Sequence, residues 1–190
     1  MKKVAIFASG DGTNAESTIV GLNNSDVARV MVVLTNNPKA GVIERAEKAG
    51  VAVEVIDHIW DKSDDLTKLL EQYDVDIILM LGYLKLMPRE VIEAYEGHIL
   101  NQHPALLPKY GGRGMYGHFV HEAVTKNRDN QSGFTLHRSS PVFDEGEILH
   151  QEVINLPANC SASECERLVR ALEHEKVVPA IRELIESEKI

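Results

Sequence analysis

Runs of apolar residues alternate with amphipathic segments along most of this chain. The apolar runs predict strands at residues 3–8, 29–35, 52–56, 76–81 and 97–101, with helices near 14–22, 41–49, 63–73 and 88–94. Such alternation is typical of βαβ units on a parallel sheet. The stretch 77–81 is apolar at every position, as expected where helices cover both faces of a strand. The pattern therefore predicts an α/β fold with a doubly wound, open and mostly parallel sheet.

The pattern changes in the second half of the chain. A helix is predicted at residues 116–126, and two strands at 133–138 and 148–154 flank the turn residues Asp144, Glu145 and Gly146. These strands are expected to form an antiparallel hairpin. Ser161, followed three residues later by Glu164, has the spacing of a capping box and is expected to open a long terminal helix. With 190 residues, 44% of them hydrophobic, we expect a single domain over residues 1–190.

The charge and composition of the chain argue against several kinds of binding partner. A net charge of −9 argues against a broad nucleic-acid surface, and the first apolar run reaches Asp11 too soon for a signal sequence or a membrane span. We therefore expect no nucleic-acid partner, no membrane partner and a cytoplasmic location. Cys160 and Cys165 do not complete a zinc site, and His118 and His121 lack a third ligand nearby. We expect free thiols and no metal site.

A glycine-rich segment follows the first predicted strand. Residues 10–14 read Gly-Asp-Gly-Thr-Asn and, with Ala15, formally match the dinucleotide-binding fingerprint. A dinucleotide site also needs an acidic residue after the second strand, where residues 35–38 read Thr-Asn-Asn-Pro. The N-terminus of the following helix suits an anion. The segment therefore favours one phosphate over a dinucleotide, and a tight turn that serves only packing is the structural alternative.

Asn101 and His103 share one face of the fifth strand as it leaves the sheet, so two polar side chains are aimed at one region. Pro104 then directs the chain into an extended exit. Ligands of open α/β sheets bind outside the carboxyl ends of the strands. Residues 10–14, 82–85 and 101–103 are all predicted at that edge. Read singly, such a histidine is more often a solvated loop residue.

Asn101, His103, the Pro-Ala-Leu-Leu-Pro run at 104–108, and Asp144 in an Asp-Glu-Gly turn resemble the formyltransferases that use 10-formyltetrahydrofolate. The resemblance extends over nearly the whole chain. Within that superfamily the chain is most similar to the glycinamide ribonucleotide formyltransferases. It implies that the substrates are glycinamide ribonucleotide and the cosubstrate 10-formyltetrahydrofolate, and that the reaction serves purine synthesis.

The resemblance also implies roles for the three polar residues. Asn101 would donate a hydrogen bond to the tetrahedral oxyanion, and His103 would donate to the same oxygen or carry protons. Asp144 would orient His103 and favour its charged form. No covalent intermediate is required, because an amine can attack the formyl carbon directly.

For substrate binding, the resemblance implies that the backbone N–H groups of Gly12, Thr13 and Asn14 hold the phosphate. Arg170 would reach the phosphate and Glu173 the ribose hydroxyls or the amine, since the two lie on one helix face. A surface ion pair is the alternative for these two residues.

For the folate, the resemblance implies that the pterin contacts the loop after the fourth predicted strand and two residues elsewhere in the chain. These residues are Tyr83, Leu84, Lys85, Leu86, Met87, Asn101 and His137. The alternatives are that Leu84, Leu86 and Met87 are core residues and that His137 is a half-buried sheet residue. Lys62 and Lys85 are candidates for the folate glutamates by charge alone.

One departure from the family is a glycine-rich loop at residues 111–117, in which Arg113 could contact an anion. Other functions remain open. A methionyl-tRNA formyltransferase would add a C-terminal RNA-binding domain, and a formyltetrahydrofolate hydrolase would add an N-terminal domain, so the expected single domain disfavours both. A protein that only binds a nucleotide would use residues 10–14 but would not need Asn101, His103 and Asp144 together. Homodimer formation is left open by the sequence.

Overall fold

A mixed sheet of seven strands forms the centre of the molecule in a computed structural model that describes residues 1–190. The strands are β1 (Lys2–Phe7), β2 (Ala28–Thr35), β3 (Ala52–Val55), β4 (Ile77–Leu81), β5 (Ile99–His103), β6 (Gln131–Arg138) and β7 (Ile148–Asn155). Their order is β3-β2-β1-β4-β5-β6-β7. The strands from β1 to β5 run parallel, whereas β6 pairs antiparallel with β5 and β7. The predicted doubly wound sheet and its C-terminal hairpin are both confirmed.

Helices cover both faces of this sheet. They are α1 (Thr13–Asn23), α2 (Val42–Lys48), α3 (Ser63–Gln72), α4 (Arg89–Ala94), α5 (His118–Lys126) and α6 (Ala162–Glu186). Along β1, Val4 and Ile6 belong to one apolar cluster and Ala5 and Phe7 to another. Successive side chains of a strand point to opposite faces, so one strand contributes to two cores. This explains why the parallel strands are apolar at nearly every position.

The largest difference in an element boundary concerns β5. The sequence predicts a strand over residues 97–101, but β5 runs over Ile99–His103 and pairs His103 with Thr135 of β6. Pairing with a strand distant in sequence is not visible in the local pattern. Pro104 ends the strand because it has no N–H to donate. His103 is therefore held by the sheet itself rather than by a loop.

Several smaller expectations can be checked against the structure. Ser161 caps α6, where its Oγ accepts the backbone N–H of Glu164 at 3.2 Å, as the capping-box spacing predicts. Cys160 and Cys165 are free thiols. None of the helices combines the length and the apolar character needed to cross a membrane.

Candidate active site

A cavity of about 840 Å³ lies at the carboxyl ends of β1, β4 and β5. Its walls come from the loops that follow these strands, the connection between β6 and β7, and parts of α5 and α6. Cavities of roughly 300–1,000 Å³ are typical of small-molecule sites. All the site residues predicted from the sequence line this cavity except Met87. The sequence-based expectation that three strand ends share one edge is confirmed.

Four polar side chains meet on one side of the cavity. Asp144 Oδ1 lies 3.5 Å from Asn101 Nδ2, 3.5 Å from His103 Nδ1 and 3.6 Å from His137 Nε2. Asn101 Nδ2 also lies 2.9 Å from His137 Nε2. His103 and His137 are buried, at 3% and 2% exposure. The predicted trio is therefore assembled, and His137 is a buried member of the same cluster rather than a half-buried sheet residue.

Hydrogen bonds to backbone carbonyls fix where the two imidazoles carry their hydrogens. His103 Nε2 lies 2.8 Å from the carbonyl oxygen of Tyr110, and His137 Nδ1 lies 2.9 Å from that of Arg138. A carbonyl oxygen can only accept, so each of these nitrogens donates. His137 Nε2 is then free to accept from Asn101. A second proton on His103 would occupy Nδ1, the nitrogen that faces Asp144.

Burial and the Asp144 carboxylate act on the His103 imidazole in opposite directions. Burial lowers the pKa of His103 and outweighs the opposing effects of the Asp144 carboxylate and the Tyr110 carbonyl, while His137 adds to the lowering. Asp144 does favour the charged imidazole, as expected, but the net result is a neutral ring at neutral pH. Burial raises the pKa of Asp144, yet the neighbouring His137 and His103 imidazoles and the Gly112 N–H together hold it below its usual value. The cluster thus pairs a carboxylate with a neutral imidazole.

The glycine loop at residues 111–117 has a definite role in this cluster. The N–H of Gly112 donates to Asp144 Oδ2 at 2.9 Å. A Cβ on Gly111 would lie 2.6 Å from Leu107 Cδ2 and 3.1 Å from the Cβ of Asp144, so the loop approaches too closely for a larger residue. This loop therefore helps to hold the Asp144 carboxylate in place. The two adjacent glycines were the available sequence signal.

The glycine-rich segment after β1 forms the opposite wall of the cavity. Gly12 precedes α1 in a left-handed conformation with φ 74°, and no side chain caps the helix. The first N–H groups of a helix have no intrahelical partner, and residues 10–14 line the cavity. A Cβ on Gly12 would lie 2.8 Å from the Cα of Val42 in α2. Gly12 thus serves tight packing as well, which was the structural alternative.

A hydrogen-bonded triangle connects this wall to the end of β5 and to α6. Asn14 Nδ2 donates to Gln102 Oε1 at 2.8 Å and to Glu173 Oε2 at 3.0 Å, and Gln102 Nε2 donates to Glu173 Oε1 at 2.7 Å. Glu173 is buried at 6% exposure. Burial raises its pKa, against the hydrogen bonds from Asn14 and Gln102 and the charge of Arg170. Both Glu173 oxygens accept amide donors, so a substrate group would share them with Asn14 and Gln102. The contact of Glu173 with the ribose or the amine stays a prediction.

Arg170 lines the cavity from the surface of α6. Its side chain is 62% exposed and pairs with Glu166 one turn earlier, at 2.8 Å. Glu166 also contacts His118 Nδ1 at 2.7 Å. Arg170 and Glu173 form no ion pair with each other, so that alternative is wrong, and Arg170 pairs with Glu166 instead. An exposed pair of this kind contributes little stability, so the guanidinium can change partners at low cost.

The loop after β4 forms the apolar side of the cavity. Tyr83, Leu84, Lys85 and Leu86 line it as expected. Met87 does not, since it is 1% exposed and belongs to the apolar cluster beneath α3 and α4. Some apolar residues of the loop after β4 pack into the core instead of lining the cavity, and Met87 is one of them.

Sequence reasoning missed several residues of the cavity. The only tryptophan, Trp60, lies beneath Lys85, whose Nζ is 4.4 Å from the ring centroid. Lys85 lines the cavity, whereas Lys62 does not. His121 also lines it, buried at 2% exposure, with Nδ1 3.7 Å from Cys165 Sγ. Trp60 and His121 carry no local signal for this cavity, because each reaches it only through the packing of its loop or helix.

Comparison with known proteins gives consistent matches. The family model described as formyl transferase matches residues 2–181. The chain is 36% identical to the chloroplastic phosphoribosylglycinamide formyltransferase of Arabidopsis thaliana and 37% identical to that of Vigna unguiculata, with 97% of the chain aligned in each case. The chain spans 66% and 61%, respectively, of the length of these two relatives.

Among solved structures, the chain is similar to glycinamide ribonucleotide transformylase 1 from Symbiobacterium toebii. The TM-score is 0.88 at 27% identity, over 98% of this chain and 89% of that one. The resemblance in fold therefore extends over nearly the whole chain, including the sheet and its helices.

Proposed function

Because the chain belongs to the formyl transferase family, we propose that it transfers the formyl group of 10-formyltetrahydrofolate to the amine of glycinamide ribonucleotide, in purine synthesis. The relatives named phosphoribosylglycinamide formyltransferase support this acceptor. The observation that carries the proposal is the buried Asn101–His103–Asp144 cluster, which shares one cavity with the uncapped N-terminus of α1. The proposal treats residues 1–190 as one formyltransferase domain in the cytoplasm.

Asn101 is suited to stabilise the oxyanion that forms when the amine attacks the formyl carbon. Its amide has two N–H donors. One is used at 2.9 Å by His137, whereas the contact with Asp144 is long at 3.5 Å. The second N–H is therefore weakly engaged and available to the developing negative charge. A prearranged donor of this kind needs no reorganisation during the reaction.

His103 is suited to carry the proton that the attacking amine must lose. The ring is neutral, and the Tyr110 carbonyl holds the hydrogen on Nε2, so Nδ1 is the basic atom. A proton taken up by Nδ1 would lie against the Asp144 carboxylate, 3.5 Å away. His103 can then return this proton to the folate nitrogen as the C–N bond to the formyl group breaks. Asp144 would thus stabilise the imidazolium only while it exists.

The two substrates fit opposite walls of the cavity. The phosphate of glycinamide ribonucleotide would bind the N–H groups of Gly12, Thr13 and Asn14, with Arg170 leaving Glu166 to pair with it. Glu173 would accept hydrogen bonds from the ribose through the lone pairs that its amide partners leave free. The pterin would lie against the loop after β4, near residues 83–86.

A spectrophotometric assay of folate product tests this function. Purified protein and 10-formyltetrahydrofolate are supplied with glycinamide ribonucleotide, with methionyl-tRNA, or with no acceptor. Product formation only with glycinamide ribonucleotide is expected. Product without an acceptor would indicate a hydrolase, and product with methionyl-tRNA alone would indicate the other transferase class. Either result would overturn the proposed acceptor.

A further inference from the structure

Gln102 occupies a special position between the two proposed catalytic residues of β5. Asn101 and His103 contact the Asp144 side of the sheet, while Gln102 points the other way, as alternate residues of a strand do. It is 8% exposed and lines the cavity. A polar side chain buried here needs hydrogen-bond partners, and its partners are both in the substrate-binding wall.

The partners of Gln102 come from distant parts of the chain. Its Oε1 accepts from Asn14 at the start of α1, and its Nε2 donates to Glu173 in the middle of α6. Asn14 and Glu173 close the triangle with their own bond of 3.0 Å. Gln102 is thus the member of the triangle that belongs to the same strand as Asn101 and His103.

Glu173 depends on these two amides. It forms no salt bridge, and each carboxylate oxygen accepts one amide donor. An oxygen of an ionised carboxylate can accept a further hydrogen bond, so each retains a place for a substrate hydroxyl or ammonium group. Loss of Gln102 would leave Oε1 as a buried acceptor without a donor and would allow the carboxylate to rotate.

We propose that Gln102 is a positioning residue for the phosphorylated amine substrate: it holds Glu173 and Asn14 in fixed register with Asn101 and His103. This rests on the proposed function, because it concerns how that substrate is bound. Gln102 does not touch the reacting atoms. Its loss should therefore weaken binding of the amine substrate without slowing the transfer step.

The test is steady-state kinetics of Gln102→Met, which keeps the length of the side chain but removes its hydrogen bonds. The KM for glycinamide ribonucleotide should rise at least about tenfold, with kcat and the KM for 10-formyltetrahydrofolate within about threefold of wild type. Gln102→Asn, whose amide is too short to reach both partners, should show the same KM effect with less risk to folding.

Gln151→Met is the matched control. Gln151 also donates two hydrogen bonds, to the Leu107 carbonyl and to Thr135 Oγ1, each at 2.9 Å, but it does not line the cavity. All three kinetic constants of this variant should stay within about threefold of wild type, because no substrate interaction is removed.

The outcomes separate this proposal from the proposed function. An unchanged KM for glycinamide ribonucleotide in both folded Gln102 variants, or a loss confined to kcat, overturns the role of Gln102 while the enzyme activity stands. A wild-type protein that does not formylate glycinamide ribonucleotide overturns the proposed function itself. Calorimetric titration of glycinamide ribonucleotide into each protein should reproduce the KM difference as a weaker Kd for Gln102→Met.

Discussion

His103 donates its Nε2 hydrogen at 2.8 Å to the carbonyl oxygen of Tyr110, a residue with a left-handed backbone at φ 62°. This backbone acceptor determines the tautomer of the imidazole. It leaves Nδ1 as the atom that exchanges protons and directs it to the Asp144 carboxylate. A carbonyl provides no charge, so it orients the ring without making it permanently cationic.

Replacement of Asn101 by Ala removes the proposed oxyanion donor. We expect kcat to fall by at least about 100-fold with the protein still folded, as removal of such a donor does in other enzymes. Single-turnover formyl transfer and circular dichroism of the same samples provide the measurement. Turnover within threefold of wild type would remove Asn101 from the mechanism.

Replacement of Asp144 by Asn tests the electrostatic coupling to His103. The carboxylate raises the pKa of His103, so its loss should lower that pKa further below the usual value. An amide oxygen can still accept the Gly112 N–H, which keeps the loop in place. NMR titration of the His103 ring in both proteins measures the midpoint. Equal midpoints would show that Asp144 acts on the loop alone.

His121 should make stability depend on pH in the acid range. Burial lowers its pKa from 6.5 to about 4 in the folded state, whereas the unfolded chain titrates near the ordinary value. Between these values the unfolded state binds more protons, so stability falls as pH falls, by up to about 1.4 kcal/mol per pH unit for one group. Urea unfolding at pH 7, 6, 5 and 4 measures this dependence.

The variant His121→Gln is the control for that pH dependence, because it cannot titrate. Its stability should fall less steeply than that of wild type between pH 6 and pH 4. Parallel curves for the two proteins would assign the acid sensitivity to other groups.

Two glycines of the segment after β1 should respond differently to Ala. A Cβ on Gly12 would lie 2.8 Å from the Val42 Cα, in a backbone with φ 74°, while a Cβ on Gly10 meets nothing within 4 Å. We expect Gly12→Ala to lower the free energy of unfolding by about 1–3 kcal/mol and Gly10→Ala to change it by less than about 0.5 kcal/mol. Urea denaturation of both variants measures this. Equal effects would contradict the close packing of Gly12 on α2.

Ligand-induced stabilisation distinguishes one phosphate from a dinucleotide at the N-terminus of α1. Glycinamide ribonucleotide at about 100 times its Kd should stabilise the fold by about 2.7 kcal/mol. For a chain of this size that raises Tm by roughly 5–10 °C. Millimolar NAD or NADP should leave Tm unchanged. A Tm that rises with NAD and ignores glycinamide ribonucleotide would restore the dinucleotide interpretation.

The sequence predicted the fold well because strand and helix alternate with clear local periodicity. Asn101, His103 and Asp144 were recognised together through the resemblance to the formyltransferases, since each read singly is more often a loop or turn residue. Features that depend on tertiary packing were not predictable. The neutral state of His103 follows from its burial. The hydrogen bonds that Tyr110 accepts from His103 and that Gly112 donates to Asp144 use backbone groups, which the side-chain sequence does not reveal. Met87 was misassigned because apolar residues of one loop divide between core and cavity.

The triangle of Asn14, Gln102 and Glu173 has a consequence for the order in which the protein matures. Its corners are separated by 88 and 71 positions, and the last one lies in α6. During synthesis, α1 and β5 leave the ribosome long before α6, so the wall that would bind the nucleotide stays incomplete until α6 docks. A nascent chain can therefore form its parallel strands early, yet it completes the proposed nucleotide site only after α6 has been synthesised.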